Sequence, residues 1–139
     1  MSWTYIIPTG EMLDPAGNLA GTGYAGGECG KFPDAINNPG VIAVHNVGPL
    51  PPGRYTLAEM VRNSHLGPVA IRLEPDPANE MYGRGGFFIH LDTPQPRCAS
   101  DGCIVQAFAI INAMWESADH ELNVLLKVPV NQIVMPDAE

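Results

Sequence analysis

The residues with the clearest chemical potential are a histidine and a cysteine that lie thirteen positions apart. His90 ends an apolar run in the segment FFIHLDTPQPRCASDGCIVQ, residues 87–106, and Cys103 directly follows Gly102. A cysteine reacts as the thiolate, so a nucleophilic cysteine needs an imidazole or backbone N–H groups that favour deprotonation. Two prolines and Gly102 make the intervening loop prone to turn. The chain can therefore double back and bring the imidazole close to the thiol.

The backbone just before Cys103 is suited to bind an oxyanion. Gly102 can adopt conformations closed to residues with a Cβ, which lets successive N–H groups face one point. We predict an oxyanion hole from the N–H groups of Asp101, Gly102 and Cys103, because such donors stabilise charge that develops on a carbonyl oxygen. Ile104 and Val105 would anchor this turn in the core.

Spacing alone leaves three other interpretations of these residues open. Cys103 can be an ordinary buried residue, since free cysteine is often part of a core. His90, Cys98 and Cys103 can share a metal ion, although no CxxC and no second histidine at ligand spacing completes a tetrahedral set. A Cys98–Cys103 disulfide is the third, and it would silence the nucleophile. A redox role for Cys98 is a related hypothesis.

The elements that must position these residues are predicted to be mainly strands. We expect a mainly β (α+β) fold and one compact domain over residues 1–139, because 139 residues with 45% hydrophobic content can bury one core. The 15 Gly and 14 Pro favour many turns. Strands are predicted at 2–8, 41–44, 54–61, 69–73, 85–92 and 121–128, with a turn at 14–18, a long loop at 21–40, a turn at 48–53 and a tail at 131–139 that is prone to fray.

One principal helix is predicted directly after the cysteine. Ala107, Ile110, Ile111, Met114 and Ala118 recur at helical spacing, and Phe108 and Trp115 flank this stripe.

Charge and hydropathy exclude several classes of partner. The formal charge of −8 and scattered basic residues argue against nucleic acid. No apolar run approaches the ~20 residues of a membrane span, and the start of the chain lacks the pattern of a signal peptide. We expect a protein made in the cytosol, with no metal and no cofactor.

The sequence resembles a known family over most of its length. The order of His90, a proline-rich loop and Ser100-Asp101-Gly102-Cys103 is similar to the motif of YkuD-like L,D-transpeptidases, with Asp101 where a second histidine is common. It is closer to their type VI secretion L,D-transpeptidase-like effector branch. The matching segments are Trp3-Thr4-Tyr5, Thr9-Gly10, Gly23-Tyr24-Ala25-Gly26, Asn37-Asn38-Pro39, 48–55, Gly83-Arg84 and Ile89-His90.

The resemblance implies an enzyme that acts on the tetrapeptide stem of peptidoglycan. Cys103 would attack the diaminopimelate carbonyl, release D-alanine and pass the acyl group to water or a D-amino acid, with His90 as base. Ser100 would hold the substrate or orient the histidine. Leu91 and Ala25 depart from the glycine and serine that are common at these positions.

Four further residues are candidates for substrate binding. Tyr24 and Asn38 lie in the long loop at 21–40, which is rich in glycine and is called the glycine-rich loop below. Ordinary roles in turns are equally expected for both residues. Arg84 can pair with a substrate carboxylate or remain a surface charge. Asp92 shares a strand face with His90 and can orient the imidazole.

The resemblance also implies partners and a place of action. We expect delivery by the type VI secretion machinery without a signal peptide, action in the periplasm of a target bacterium, and a cognate immunity protein. An inactive peptidoglycan-binding module and a phage or housekeeping wall enzyme are the alternatives. The balance of hydrolysis and exchange and the oligomeric state are not readable from the sequence.

Overall fold

A computed structural model describes residues 2–94 and 100–127 of the chain. The described part contains nine strands and one α-helix. The strands are β1 (Trp3–Ile6), β2 (Glu11–Leu13), β3 (Leu19–Thr22), β4 (Tyr24–Ala25), β5 (Gly53–Ser64), β6 (Gly67–Pro75), β7 (Phe88–His90), β8 (Ile104–Val105) and β9 (Glu121–Leu125), and the helix is α1 (Phe108–Glu116).

All nine strands belong to one sheet, in the order β3-β2-β1-β9-β5-β6-β7-β8-β4. The two edge strands, β3 and β4, are consecutive in the chain and only Gly23 separates them. The sheet must therefore curl until its edges meet. At this junction the amide of Gly23 donates to the carbonyl of Gly10 at 2.7 Å, which extends the pairing of β2 with β3. The prediction of a mainly β fold with one principal helix is confirmed.

The centre of the sheet is the long antiparallel hairpin of β5 and β6. Its inward positions are aliphatic, and Leu57, Val69, Ile71 and Leu73 are all buried. β-branched and aliphatic side chains at alternate positions suit a strand with one face on the core. The alternation from Val69 to Leu73 predicted this strand correctly, although β6 extends further at both ends.

The helix covers the core beside β6, and it buries Ile111 and Met114. Both positions belong to the predicted apolar stripe, whereas Phe108 at the start of the helix is exposed. Helical spacing therefore located α1 within two residues of its ends.

Two predictions on elements were wrong in part. Residues 41–44 do not form a strand: Pro39–Val41 is a 3₁₀ helix and the chain continues in turns. The sequence favoured a strand there because of its β-branched residues, but Pro39 and Gly40 commit the backbone to a tight turn. The turn at 14–18 is present, yet it joins β2 to β3, and β2 itself was missed because it has only three residues.

Several other predicted bounds also change. The 21–40 loop begins inside β3 and contains β4 and a 3₁₀ helix at Pro33–Ala35. The strand at 85–92 shortens to Phe88–His90, and the last strand ends at Leu125. The predicted tail at 131–139 lies outside the described residues.

Candidate active site

Two short parallel strands bring His90 and Cys103 to one face of the sheet. β7 and β8 pair with Ile89 opposite Ile104 and His90 opposite Val105. Cys103 directly precedes β8, and its Sγ accepts a hydrogen bond from the amide of Phe88 at 3.4 Å. Because alternate residues of a strand share a face, His90 and Cys103 lie on the same face of neighbouring strands. The fully buried Ile89 and Ile104 occupy the opposite, core face.

The His90 side chain is buried, with 3% of its surface exposed, and one of its ring nitrogens forms a hydrogen bond. Its Nδ1 lies 2.8 Å from the carbonyl oxygen of Leu91. A carbonyl can only accept, so Nδ1 carries the proton and Nε2 of the neutral ring is the acceptor. Burial lowers the pKa of His90, while the Leu91 hydrogen bond and the charge of Asp92 act in the opposite direction. The ring is therefore neutral at neutral pH, the form that a general base requires.

Cys103 is a free, half-buried cysteine. The alternative of a Cys98–Cys103 disulfide is therefore wrong, and Cys98 lies outside the described residues. Burial and the charge of Asp101 raise the pKa of Cys103, while the Phe88 amide and the Arg84 charge lower it. The thiol is thus protonated at neutral pH and needs a base to react. Cys29, to which the sequence assigned no role, is held in a disulfide.

The segment before the cysteine is organised by Ser100, which is 1% exposed. Its hydroxyl donates to the carbonyl of Cys103 at 2.6 Å and accepts from the amides of Gly26 at 2.8 Å and Gly102 at 3.0 Å. Ser100 therefore holds backbone rather than the histidine ring. Because the Gly102 amide is committed to this hydroxyl, Asp101 and Cys103 are the remaining donors of the predicted oxyanion hole.

Arg84 lies deeper than a surface charge and is 8% exposed. Its guanidinium donates to four backbone carbonyls, those of Ile42, Gly48, Pro49 and Asp101. A substrate carboxylate would have to displace these acceptors. The structure thus offers no free guanidinium fork at this position.

Tyr24 and Asp92 contact each other beside His90. Tyr24 stands opposite Val105 in the β4–β8 pairing, which puts it in the same row as His90. The Tyr24 hydroxyl donates to the Asp92 carboxylate at 2.7 Å. The carboxylate acts on the imidazole through its charge, while the Leu91 carbonyl holds the ring nitrogen.

The two neighbouring asparagines differ in role. Asn38 caps the 3₁₀ helix at Pro39–Val41, accepting from the amide of Gly40 and donating to the carbonyl of Asp34. Asn37 accepts from the Tyr5 hydroxyl at 2.8 Å and from the Ala25 amide at 2.9 Å. It thereby ties the glycine-rich loop to β1 and β4, a role that sequence reasoning missed.

A groove of about 390 Å³ opens over His90. One wall is the turn between β5 and β6 with His65 and Pro68, and the other is the chain from His90 to Pro94. His65 received no role from the sequence. His65 reaches the groove because Ala70 pairs with His90, which brings the turn beside the strand that carries His90. No local sequence pattern predicts this pairing.

Within residues 2–94 and 100–127, no three His, Cys, Asp or Glu side chains are grouped to hold a metal ion. The same ranges hold no helix with the length and apolarity needed to cross a bilayer.

Comparison with known proteins identifies a domain family. A sequence model described as the Tlde1 domain matches residues 29–130, a range that includes both His90 and Cys103. No curated protein and no solved structure matches significantly.

Proposed function

Because this chain belongs to the Tlde1 domain family of type VI secretion L,D-transpeptidase effectors, we propose that it is a cysteine acyltransferase of the peptidoglycan stem. Its substrate is the tetrapeptide, and its target is the bond between diaminopimelate and the terminal D-alanine. The parallel pairing of β7 with β8 carries the proposal, because it puts the Cys103 thiol and the His90 imidazole on one face.

The first half of the reaction forms a thioester. Nε2 of His90 accepts the thiol proton as Sγ of Cys103 attacks the diaminopimelate carbonyl. Backbone N–H groups at Asp101 and Cys103 stabilise the resulting oxyanion. The C–N bond then breaks, and His90 returns the proton to the amine of the departing D-alanine.

The second half consumes the thioester. Water or the amine of a D-amino acid attacks the carbonyl, His90 takes a proton from this nucleophile, and the Cys103 thiol is regenerated as the C–S bond breaks. Water makes the enzyme an L,D-carboxypeptidase, whereas a D-amino acid makes it an L,D-transpeptidase that exchanges the terminal residue. The groove over His90 supports this proposal, since both the leaving and the entering amine must reach the imidazole.

The place of action follows from the family. As a type VI secretion effector, the protein is delivered into a rival bacterium, and we propose that it acts on the cell wall in the periplasm. A cognate immunity protein in the producer would block the cleft at Cys103. A tight complex that leaves turnover intact would contradict this mode of inhibition.

Mass spectrometry of purified tetrapeptide muropeptides tests the function. With wild-type protein we expect loss of one D-alanine, or its replacement when D-methionine is added. Cys103→Ala and His90→Ala should abolish both products, while His120→Gln serves as a histidine control, because His120 lies against Trp115 away from the site.

Unchanged muropeptides under conditions that keep Cys103 reduced would overturn the enzyme proposal. If Cys103→Ala also sedimented with purified sacculi in that case, the protein would be an inactive wall-binding module.

A further inference from the structure

Arg84 is a buried cation at the junction of three segments near the nucleophile. Nη1 donates to the carbonyls of Ile42 and Pro49, and Nη2 donates to those of Gly48 at 2.8 Å and Asp101 at 3.2 Å. The two terminal nitrogens of a guanidinium carry four N–H groups, so these contacts use their donor capacity. The residue that precedes Gly102 is thereby tied to the loops at 42 and 48–49.

Gly102 is packed directly against this guanidinium. A Cβ at Gly102 would lie 2.6 Å from Nη2 of Arg84 and 2.7 Å from Cε1 of Phe87. Cζ of Arg84 lies 5.2 Å from the centre of the Phe87 ring, within the range of a cation–π contact. The guanidinium and the ring together form the surface on which the turn before Cys103 rests.

The charge of Arg84 is directed at the same turn. Its hydrogen-bond partners are carbonyl dipoles, which orient the guanidinium without cancelling its charge. A positive charge near a thiol favours the thiolate. Burial and the charge of Asp101 raise the pKa of Cys103, while the backbone amides of Phe88 and Cys103 and the charge of Arg84 lower it.

We propose that Arg84 is a positioning residue for acyl transfer, which fixes the backbone N–H groups beside Cys103 and places a positive charge against the turn that carries its thiol. This inference rests on the proposed function only for the identity of the reaction. It differs from a substrate-binding arm, because the guanidinium has no need to release its four carbonyls.

The test compares Arg84→Gln and Arg84→Lys with Arg72→Gln. Arg72 is a matched control, since its guanidinium forms ion pairs with Glu59 and Glu74 at the surface of β6. Three quantities are measured for each folded protein: the pH dependence of Cys103 alkylation by iodoacetamide, and kcat and KM for release of D-alanine from tetrapeptide muropeptide. Cys103→Ala corrects the alkylation for any other thiol, and circular dichroism establishes folding.

We expect Arg84→Gln to shift the alkylation profile to higher pH and to lower kcat about 100-fold, with KM nearly unchanged. Arg84→Lys should keep the alkylation profile closer to wild type but still lose kcat, since an ammonium cannot reach four carbonyls. Arg72→Gln should match wild type. Alkylation needs no turnover, so this readout tests Arg84 even if the muropeptides prove unreactive.

Three results would overturn the proposal. Wild-type kcat and alkylation in a folded Arg84→Gln would remove any role in positioning. A rise in KM alone would make Arg84 a substrate-binding residue. If Arg84→Gln does not fold, Arg84→Lys carries the test, and failure of both to fold would assign Arg84 to stability instead.

Discussion

At the level of single side chains, the candidate site holds a neutral imidazole, His90, and a neutral thiol, Cys103. Burial lowers the pKa of His90 and raises that of Cys103. Both shifts disfavour the thiolate–imidazolium pair at rest, so in the proposed mechanism the proton would move to His90 only as the thiol attacks. The Phe88 amide, which donates to Sγ, and the Arg84 charge stabilise the sulfur as it becomes anionic. Attack on the carbonyl then transfers that charge to the oxyanion.

The pH profile of turnover should report the buried imidazole. An ordinary histidine titrates near pH 6.5, and the pKa of His90 is lower than this. Because the base must be neutral, kcat/KM should persist as the pH falls through 6.5 and decline only below it, at the lower pKa of the folded protein. The measurement is D-alanine release as a function of pH, with His120→Gln as control. An acid limb above pH 6.5 would contradict this account of His90.

The lowered pKa of His90 also makes the stability of the folded protein depend on pH. Between the pKa of folded His90 and pH 6.5, the unfolded chain binds more protons than the native one, so this residue makes the protein less stable as the pH falls through that window.

Among the structural elements, the glycine-rich loop after β3 holds the site together by backbone contacts. The amides of Gly26 and Glu28 donate to the hydroxyl and the carbonyl of Ser100, and β4 within the loop pairs with β8. The side chain of Asn37 ties the loop to β1. Asn37 has a positive φ of 54°, a conformation that asparagine tolerates better than most residues. Asparagine at this position therefore tolerates the positive φ and also accepts hydrogen bonds from the Tyr5 hydroxyl and the Ala25 amide.

Replacing Asn37 should cost more stability than replacing its neighbour. Asn37→Ala leaves the Tyr5 hydroxyl and the Ala25 amide without their acceptor, and the expected loss is about 1–3 kcal/mol. Asn38→Ala removes only a cap at a 3₁₀ helix, which should cost at most about 1 kcal/mol. Denaturant unfolding of both variants measures the difference. Equal losses would show that Asn37 does not anchor the loop.

Local patterns predicted the elements but not the contacts between distant segments. His90 and Cys103 lie in one segment of 20 residues, and Val69 to Leu73 alternate clearly, so both were readable. For Arg84 the sequence left a substrate contact and a surface charge open. Its four acceptors are backbone carbonyls, which leave no signature in residue types. His65 reaches the groove through the pairing of β6 with β7, and this register depends on the whole sheet.

For the molecule as a whole, the place where the two edges of the sheet meet leaves no space for a side chain. Gly23 joins β3 to β4 and lies against β8. A Cβ there would lie 1.8 Å from the carbonyl oxygen of Val105, which stands opposite His90 in the sheet. Closure of the sheet and placement of the strand that carries His90 therefore depend on the same close approach.

Gly23→Ala should destabilise the protein and impair the site together. The methyl group forces two backbones apart, and overpacking of this kind costs about 1–3 kcal/mol, which lowers Tm by several degrees in a chain of this size. Gly85→Ala is the matched control, since a Cβ at Gly85 meets nothing within 4 Å. A thermal melt and an activity assay of both variants measure the loss of stability and the loss of activity. A Gly23→Ala protein equal to wild type in both would contradict the closed seam.

The central claim is that Cys103 forms a thioester with the peptidoglycan stem. The most direct measurement is mass spectrometry of the protein after brief mixing with tetrapeptide muropeptide and acid quenching, followed by peptide mapping. We predict an adduct on the peptide containing Cys103, with the mass of the substrate less D-alanine, that is absent from Cys103→Ala. An adduct on another residue, or D-alanine release that persists in Cys103→Ala, would contradict the account.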